Sequence, residues 1–120
     1  MHELAICQSI LRQAADVAAA HPASVVTRVT LRSGPLAGVE PHLLRAAFPL
    51  AAAGTCCAGA LLAIKTPPVR VECQLCGTVS RVRPNRLLCF ACGTWRVALL
   101  EGDEMRIESV DLFEREIANV

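Results

Sequence analysis

Two short motifs have the same form, Cys73-Gln74-Leu75-Cys76-Gly77 and Cys89-Phe90-Ala91-Cys92-Gly93, and twelve residues lie between Cys76 and Cys89. Two residues between paired cysteines let both thiolates reach one ion, and the glycine after each pair permits a tight turn. Two such pairs complete a shell of four sulfur ligands, which favours zinc over harder ions. A shell closed by four protein ligands leaves no position for a substrate, so we predict a structural Zn(II) site. A rubredoxin-like iron site and a redox dithiol pair are the alternatives.

The residues around these cysteines differ in charge from the rest of the chain. Residues 70–98 contain five arginines and one acid, a charge of +4, whereas the remainder carries −3. This shift predicts a zinc-binding module at 70–101, inserted into a discontinuous domain of residues 1–69 and 102–120. Arginine-rich zinc ribbons often bind nucleic acid, but only Phe90 and Trp95 are available here for stacking. We therefore favour a solvated basic face, or a surface for an acidic protein partner.

Helical and strand periodicities alternate outside the cysteine segment. Apolar residues three and four apart predict a helix over 4–20, and alternation of β-branched residues predicts a strand over 24–32. Glu40-Pro41 has the composition of a helix start, and Pro49 should kink or end that second helix. Further strands are expected at 60–66 and from 103, the latter with a bulge at 109–110.

These elements predict an α+β fold, in which two helices lie on a three-stranded mixed sheet and a zinc-ribbon-like module is inserted. With 120 residues, the chain is too short for a barrel enzyme. It has no nucleophilic triad, phosphate loop or paired carboxylates, so we expect no enzyme activity. The uncharged stretch 46–64 is interrupted at Gly54, which argues against a membrane span. The cysteine usage and the absence of an early basic segment predict a cytoplasmic protein.

The first three residues, Met1-His2-Glu3, form a second set of metal donors. The α-amine of Met1, the amide nitrogen of His2 and its imidazole can close adjacent chelate rings on one ion, and Glu3 can add a further donor. Such a planar, nitrogen-rich set suits Ni(II) or Cu(II) better than zinc. The alternative is an ordinary helix start in which Glu3 lies near the positive end of the helix dipole.

Several segments together resemble the HypA/HybF family of hydrogenase nickel-incorporation proteins. They are Met1-His2-Glu3-Leu4, residues 34–41, Gly54-Thr55, the two cysteine pairs and residues 102–107. The resemblance implies a nickel metallochaperone that holds Ni(II) as transient cargo at His2, assisted by Met1 and Glu3. It also implies Zn(II) at Cys73, Cys76, Cys89 and Cys92.

The same resemblance implies two partners, a HypB-type GTPase and the large subunit of [NiFe]-hydrogenase. It places Glu40 near the nickel site, predicts neither nucleic acid nor membrane as a partner, and leaves a homodimer open.

Some residues depart from that family's pattern or stay outside its metal sites. Pro49 lies where an ordinary helix former is expected, and Cys56-Cys57 occupies a turn that is expected to be polar. The vicinal cysteines are either buried turn residues or a soft pair that recruits nickel or zinc. Cys7 is expected in the core. His21 is not assigned to metal, and His42 is retained only as a minor alternative because Glu40 is close in sequence.

Overall fold

The computed structural model describes residues 2–114. The eight elements in chain order are α1 (His2–Ala19), β1 (Ser24–Ser33), α2 (Pro41–Ala52), β2 (Leu61–Lys65), β3 (Val69–Cys73), β4 (Val79–Val82), β5 (Val97–Glu101) and β6 (Met105–Glu114). Two helices, a mixed sheet in the order β2-β1-β6 and a cysteine-bearing module confirm the predicted fold class. Residues 113–114 extend β6, and residues 115–120 lie outside the described residues.

The chain divides into two compact units. Among the described residues, the first, called here the helical unit, comprises 2–31, 39–64 and 107–114. The second, called the cysteine unit, comprises 32–38 and 65–106. The module boundaries at 70 and 101 remain a prediction from charge. No helix within residues 2–114 is long and apolar enough to cross a membrane.

The core of the helical unit is built almost entirely from aliphatic and small side chains. The helices α1 and α2 pack on each other, and the Cys7 thiol donates to the Leu44 carbonyl at 3.9 Å. The buried residues are Cys7, Ile10, Leu11, Ala14, Val26, Val29, Leu31, Leu44, Phe48, Ala52, Cys57 and Leu62, with Leu31 at the boundary of the unit. Burial of Cys7 confirms its predicted place in the core. Each fully buried large aliphatic or aromatic side chain contributes about 1.5–3 kcal/mol to folding.

Helix α2 begins as the sequence predicts but does not end at Pro49. Glu40 is the extended N-cap residue, and Pro41 follows it in the first turn. The helix then continues three residues beyond Pro49, to Ala52, so of the two expected effects of Pro49 the end of the helix was wrong, and the kink stays a prediction. Near the carboxyl end, Pro49 removes only one backbone donor from the helix. The burial of Phe48 and Ala52, each 1% exposed, favours continuation of the helix through this defect.

The cysteine unit contains its own antiparallel sheet in the order β4-β3-β5. Val71 in the central strand pairs with Ser80 on one side and Leu99 on the other, and the register shifts between Arg70 and Val71. The fully buried apolar side chains of this sheet are few, chiefly Val69 and Val71. A core of this size needs an additional constraint such as a metal ion.

Residues 32–38 join the cysteine unit through close backbone contacts. The Gly34 N–H donates to the Glu104 carbonyl at 2.8 Å, and the Leu36 N–H donates to the Gly102 carbonyl at 2.7 Å. A Cβ atom on Gly34 would lie 2.1 Å from the Gly102 oxygen, so only glycine permits this approach. Beside it, the Glu101 carboxylate bridges Arg32 and Arg70, each at 3.0 Å.

Candidate metal centres

The four cysteines of the two motifs converge on one point in the cysteine unit. Their sulfur atoms all lie within 4.8 Å of one another, and the Cys73–Cys92 and Cys76–Cys89 pairs are each separated by 3.6 Å. A tetrahedral ion with metal–sulfur bonds of about 2.3 Å would place its sulfur ligands about 3.8 Å apart. The cluster is therefore close to the geometry of a four-thiolate ion site.

The backbone holds both cysteine pairs in the same conformation. The N–H of Cys73 donates to the Thr78 carbonyl and that of Gly77 to the Cys73 carbonyl, at 2.9 and 3.0 Å. In the second pair, Cys89 donates to Thr94 and Gly93 to Cys89, both at 2.9 Å. Gly77 and Gly93 have φ of +75° and +73°, values that favour glycine. Backbone N–H groups also point at sulfur, from Leu75 and Cys76 to Cys73 at 3.3 Å, and from Cys92 to Cys89 at 3.5 Å.

Thr78 and Thr94 are contributors to this site that the sequence analysis did not single out. Each accepts a hydrogen bond from the first cysteine of its pair, and the Thr78 hydroxyl lies 3.2 Å from the Cys76 sulfur. A signal for them is present in the sequence, because both cysteine pairs are followed by Gly-Thr. The repeat includes two residues beyond each Cys-x-x-Cys motif.

The surroundings of the sulfur atoms give the thiols different acidities. Hydrogen bonds with the side chain and backbone of Thr78 lower the pKa of Cys76 to about 6. The backbone N–H of Thr94 acts in the same direction on Cys92, but hydrogen bonding to Cys73 and burial outweigh it and raise the pKa of Cys92 to about 11. The thiols of the cluster therefore differ in how readily they lose their protons. A divalent cation would replace the remaining protons and balance the negative charge, so the donor set fits Zn(II).

The predicted nickel donors lie at the start of the helical unit. His2 is the first residue of α1 and is exposed, Glu3 is half-buried in the first turn, and Met1 is outside the described residues. Among residues 2–114, the four cysteines are the only group of three or more His, Cys, Asp or Glu side chains that could share an ion. The nickel site at His2, Met1 and Glu3 remains a prediction that includes the chain's amino terminus.

Glu40 and His42, at the start of α2, lie close to each other. The Glu40 carboxylate oxygen is 3.7 Å from Nδ1 of His42, and both side chains are exposed. A carboxylate and an imidazole at this distance can interact with a common cation or with each other. The role of Glu40 near nickel remains a prediction, and His21 and His42 remain unassigned to metal.

The vicinal cysteines of the helical unit differ in their exposure. Cys56 is exposed, whereas Cys57 is 0% exposed, and their sulfur atoms are 3.8 Å apart. Burial, together with hydrogen bonding to the Cys56 thiol, raises the pKa of Cys57 to about 12. The sequence analysis left two interpretations of this turn, buried cysteines or a metal-recruiting pair. Only Cys57 is buried.

A basic groove of about 380 Å³ lies on the cysteine unit beside Cys89. Its lining includes Arg81, Arg83, Arg86 and Phe90, and Phe90 is 87% exposed. Arg83 and Arg86 are paired across a tight turn, which brings like charges together. Among residues 2–114, none of the ion pairs links these three arginines to a carboxylate.

The fold and the cysteine cluster define a small α+β protein with a four-thiol ion site. The family model described as "Hydrogenase/urease nickel incorporation, metallochaperone, hypA" matches residues 1–112. The chain belongs to this HypA family of metallochaperones, which confirms the resemblance identified from the sequence.

Individual relatives agree with that assignment. The hydrogenase maturation factor HypA of Nitrosospira multiformis is 42% identical over 112 residues, which cover 93% of this chain and 97% of that protein. The HypA of Aquifex aeolicus is 36% identical with the same coverage. The solution structure of a HypA protein matches with a TM-score of 0.72 and 25% identity, covering 96% of this chain and 98% of that one.

The Ni metallochaperone HypA from Helicobacter pylori shares the fold. Its solution structure matches with a TM-score of 0.67 at 23% identity and covers 94% of this chain and 98% of that one. The similarity supports the architecture derived above.

Proposed function

We propose that this chain is a nickel metallochaperone that binds Ni(II) through His2, the Met1 amine and Glu3. It delivers the ion, together with a HypB-type GTPase, to the large subunit of [NiFe]-hydrogenase. The observation that carries the proposal is the family match over residues 1–112, combined with an exposed histidine at position two. An amine, an amide nitrogen and an imidazole form the kind of donor set that Ni(II) favours.

The two metal sites have different tasks in this proposal. Zn(II) at Cys73, Cys76, Cys89 and Cys92 has a complete ligand shell and stabilises the cysteine unit without taking part in chemistry. Nickel at the chain end has an open, exposed site from which a partner can remove it. The protein therefore carries an ion and is not an enzyme, and its free thiols suit the reducing cytoplasm.

Calorimetric titration of nickel into zinc-loaded, untagged protein tests the nickel site. We expect one Ni(II) per chain, and loss of that binding in His2→Ala, because the substitution removes the imidazole and breaks a chelate ring. An amino-terminal extension by a few residues should have the same effect, since it removes the free α-amine beside His2. Zinc content should remain constant in all three proteins.

The matched control for this titration is His21→Ala, which removes another exposed histidine of the same unit. This variant should bind nickel like the unaltered protein. Equal nickel binding by His2→Ala and by the unaltered protein would contradict the amino-terminal site.

The basic groove favours a second role, in which the cysteine unit binds an acidic segment of a partner protein. The arginines of the groove attract carboxylates, and the exposed Phe90 offers an apolar contact beside them. Nucleic acid is the less suitable ligand, because Phe90 is the only aromatic residue of the groove, while Trp95 is covered in part by Arg96, at 5.5 Å from its ring centroid.

Charge reversal in the groove tests this second role. Arg83→Glu should weaken binding to the hydrogenase large subunit about ten-fold, whereas Arg12→Glu, an exposed charge on α1, should change it little. The measurement is a binding titration at two salt concentrations. Equal affinity of both variants would contradict the role, and tighter binding of a single-stranded oligonucleotide than of the large subunit would support nucleic-acid binding instead.

A further inference from the structure

Cys56 and Cys57 have a geometry that consecutive residues do not adopt in regular elements. In a strand, successive side chains point to opposite faces, and on a helix consecutive side chains do not face each other. Here both belong to the turn between α2 and β2, and their sulfur atoms are only 3.8 Å apart. Cys56 is exposed, so the pair can be reached from solvent through that residue.

The turn is held by its own hydrogen bonds. The Thr55 hydroxyl donates to the Ala52 carbonyl at 2.6 Å and accepts from the Cys57 N–H at 3.2 Å. The Ala60 N–H donates to the Cys57 carbonyl at 2.9 Å. Gly54 and Gly59, on either side, have φ of +77° and +79°, which lets the chain reverse around the two cysteines. The backbone that carries the two cysteines is therefore held in place.

We propose that Cys56 and Cys57 form a second, two-sulfur metal site that takes a soft monovalent ion of the Cu(I) class. The separation of 3.8 Å lets both sulfur atoms reach one ion, and it is the spacing of about 3.8 Å found at a tetrahedral site, which an ion with only two ligands would widen. A lower-coordinate ion opens the angle between its sulfur ligands, and rotation of the exposed Cys56 side chain can accommodate that change.

Cys56 and Cys57 offer only two sulfur donors, and this small number determines which kind of ion they can hold. Within residues 2–114, no third His, Cys, Asp or Glu side chain joins this pair in a group that could share an ion. Zinc in proteins normally takes four ligands, and Ni(II) favours planar sites rich in nitrogen and oxygen. Cu(I) is soft and can be held by two thiolates. Binding releases one proton from each thiol and forms two copper–sulfur bonds, with no change in oxidation state.

Anaerobic titration of zinc-loaded protein with Cu(I), held against a colorimetric Cu(I) chelator, tests the site. We expect the unaltered protein to take up one Cu(I) per chain with its zinc retained. Cys56→Ser and Cys57→Ala should each lose that ion. The control is Cys7→Ala, which removes a buried thiol elsewhere in the helical unit and should leave Cu(I) uptake unchanged.

Because Cys56 is exposed, Cys56→Ser should fold normally, which its zinc content and circular dichroism can verify. Equal Cu(I) uptake by this variant and the unaltered protein would overturn the proposal. Uptake that occurs only as zinc leaves the other four cysteines would also overturn it, as would occupation of the pair by Zn(II) or Ni(II) in preference to Cu(I). The proposal is independent of the nickel site, and nickel binding by Cys56→Ser should remain normal.

Discussion

Cys76→Ser is expected to abolish zinc retention and to unfold the cysteine unit. The substitution removes one of four ligands, and the buried apolar side chains of the β4-β3-β5 sheet are too few to replace the ion's contribution. Structural zinc contributes about 10–16 kcal/mol to the folding of small metal-bound modules. The free energy of unfolding of a typical domain is only roughly 5–15 kcal/mol, so the loss of the zinc contribution is large enough to unfold the cysteine unit. Metal analysis and amide NMR dispersion for residues 65–106 would measure both effects.

Cys56→Ser is the matched control, because it removes an exposed thiol that is not part of the four-cysteine cluster. It should retain one zinc ion and the dispersed amide signals of the cysteine unit. If Cys76→Ser kept both its zinc and these signals, the closed four-sulfur site would be contradicted.

Gly34→Ala is expected to destabilise the cysteine unit by about 3 kcal/mol, at the upper end of the usual cost of overpacking. The added Cβ would lie 2.1 Å from the Gly102 oxygen and 2.3 Å from its carbonyl carbon. Both are backbone atoms, so relief requires the chain to move. That movement would strain the hydrogen bonds from Gly34 to Glu104 and from Leu36 to Gly102. Denaturant unfolding, followed by the amide signals of this unit, measures the loss.

Gly38→Ala is the control for this prediction. It introduces a side chain at a glycine with positive φ but without a steric clash. Gly38 belongs to the same segment and has φ of +77°, but nothing lies within 4 Å of its added Cβ. Its substitution should therefore cost only about 1–2 kcal/mol, the penalty of the left-handed conformation. A cost for Gly34→Ala no greater than that for Gly38→Ala would show that the two backbone segments separate readily.

The sequence predicts features that depend on local spacing. Helix α1, strand β1 and the start of α2 follow from short-range periodicity and the Glu40-Pro41 signal, and the structure contains all three. The clustering of the four cysteines follows in the same way, because each pair is a local motif. The sequence left open whether α2 continues past Pro49, because the burial of Phe48 and Ala52, which favours continuation, depends on tertiary structure.

Two contacts between segments that are distant in sequence were not predicted. The contact of Gly34 with Gly102, and the Glu101 bridge between Arg32 and Arg70, join segments far apart in sequence. In the sequence alone, these glycines are indistinguishable from ordinary loop residues, and these arginines from ordinary surface charges. The individual strands β3, β4 and β5 are only four or five residues long, too short for a clear periodic signal.

The central claim is that nickel and zinc occupy separate sites of different chemistry on this chain. X-ray absorption at both metal edges, on protein loaded with one nickel and one zinc, tests it most directly. The account predicts a zinc edge with four sulfur ligands at about 2.3 Å and a nickel edge with nitrogen and oxygen ligands only. Sulfur ligands at the nickel edge, or fewer than four sulfur ligands at the zinc edge, would contradict it.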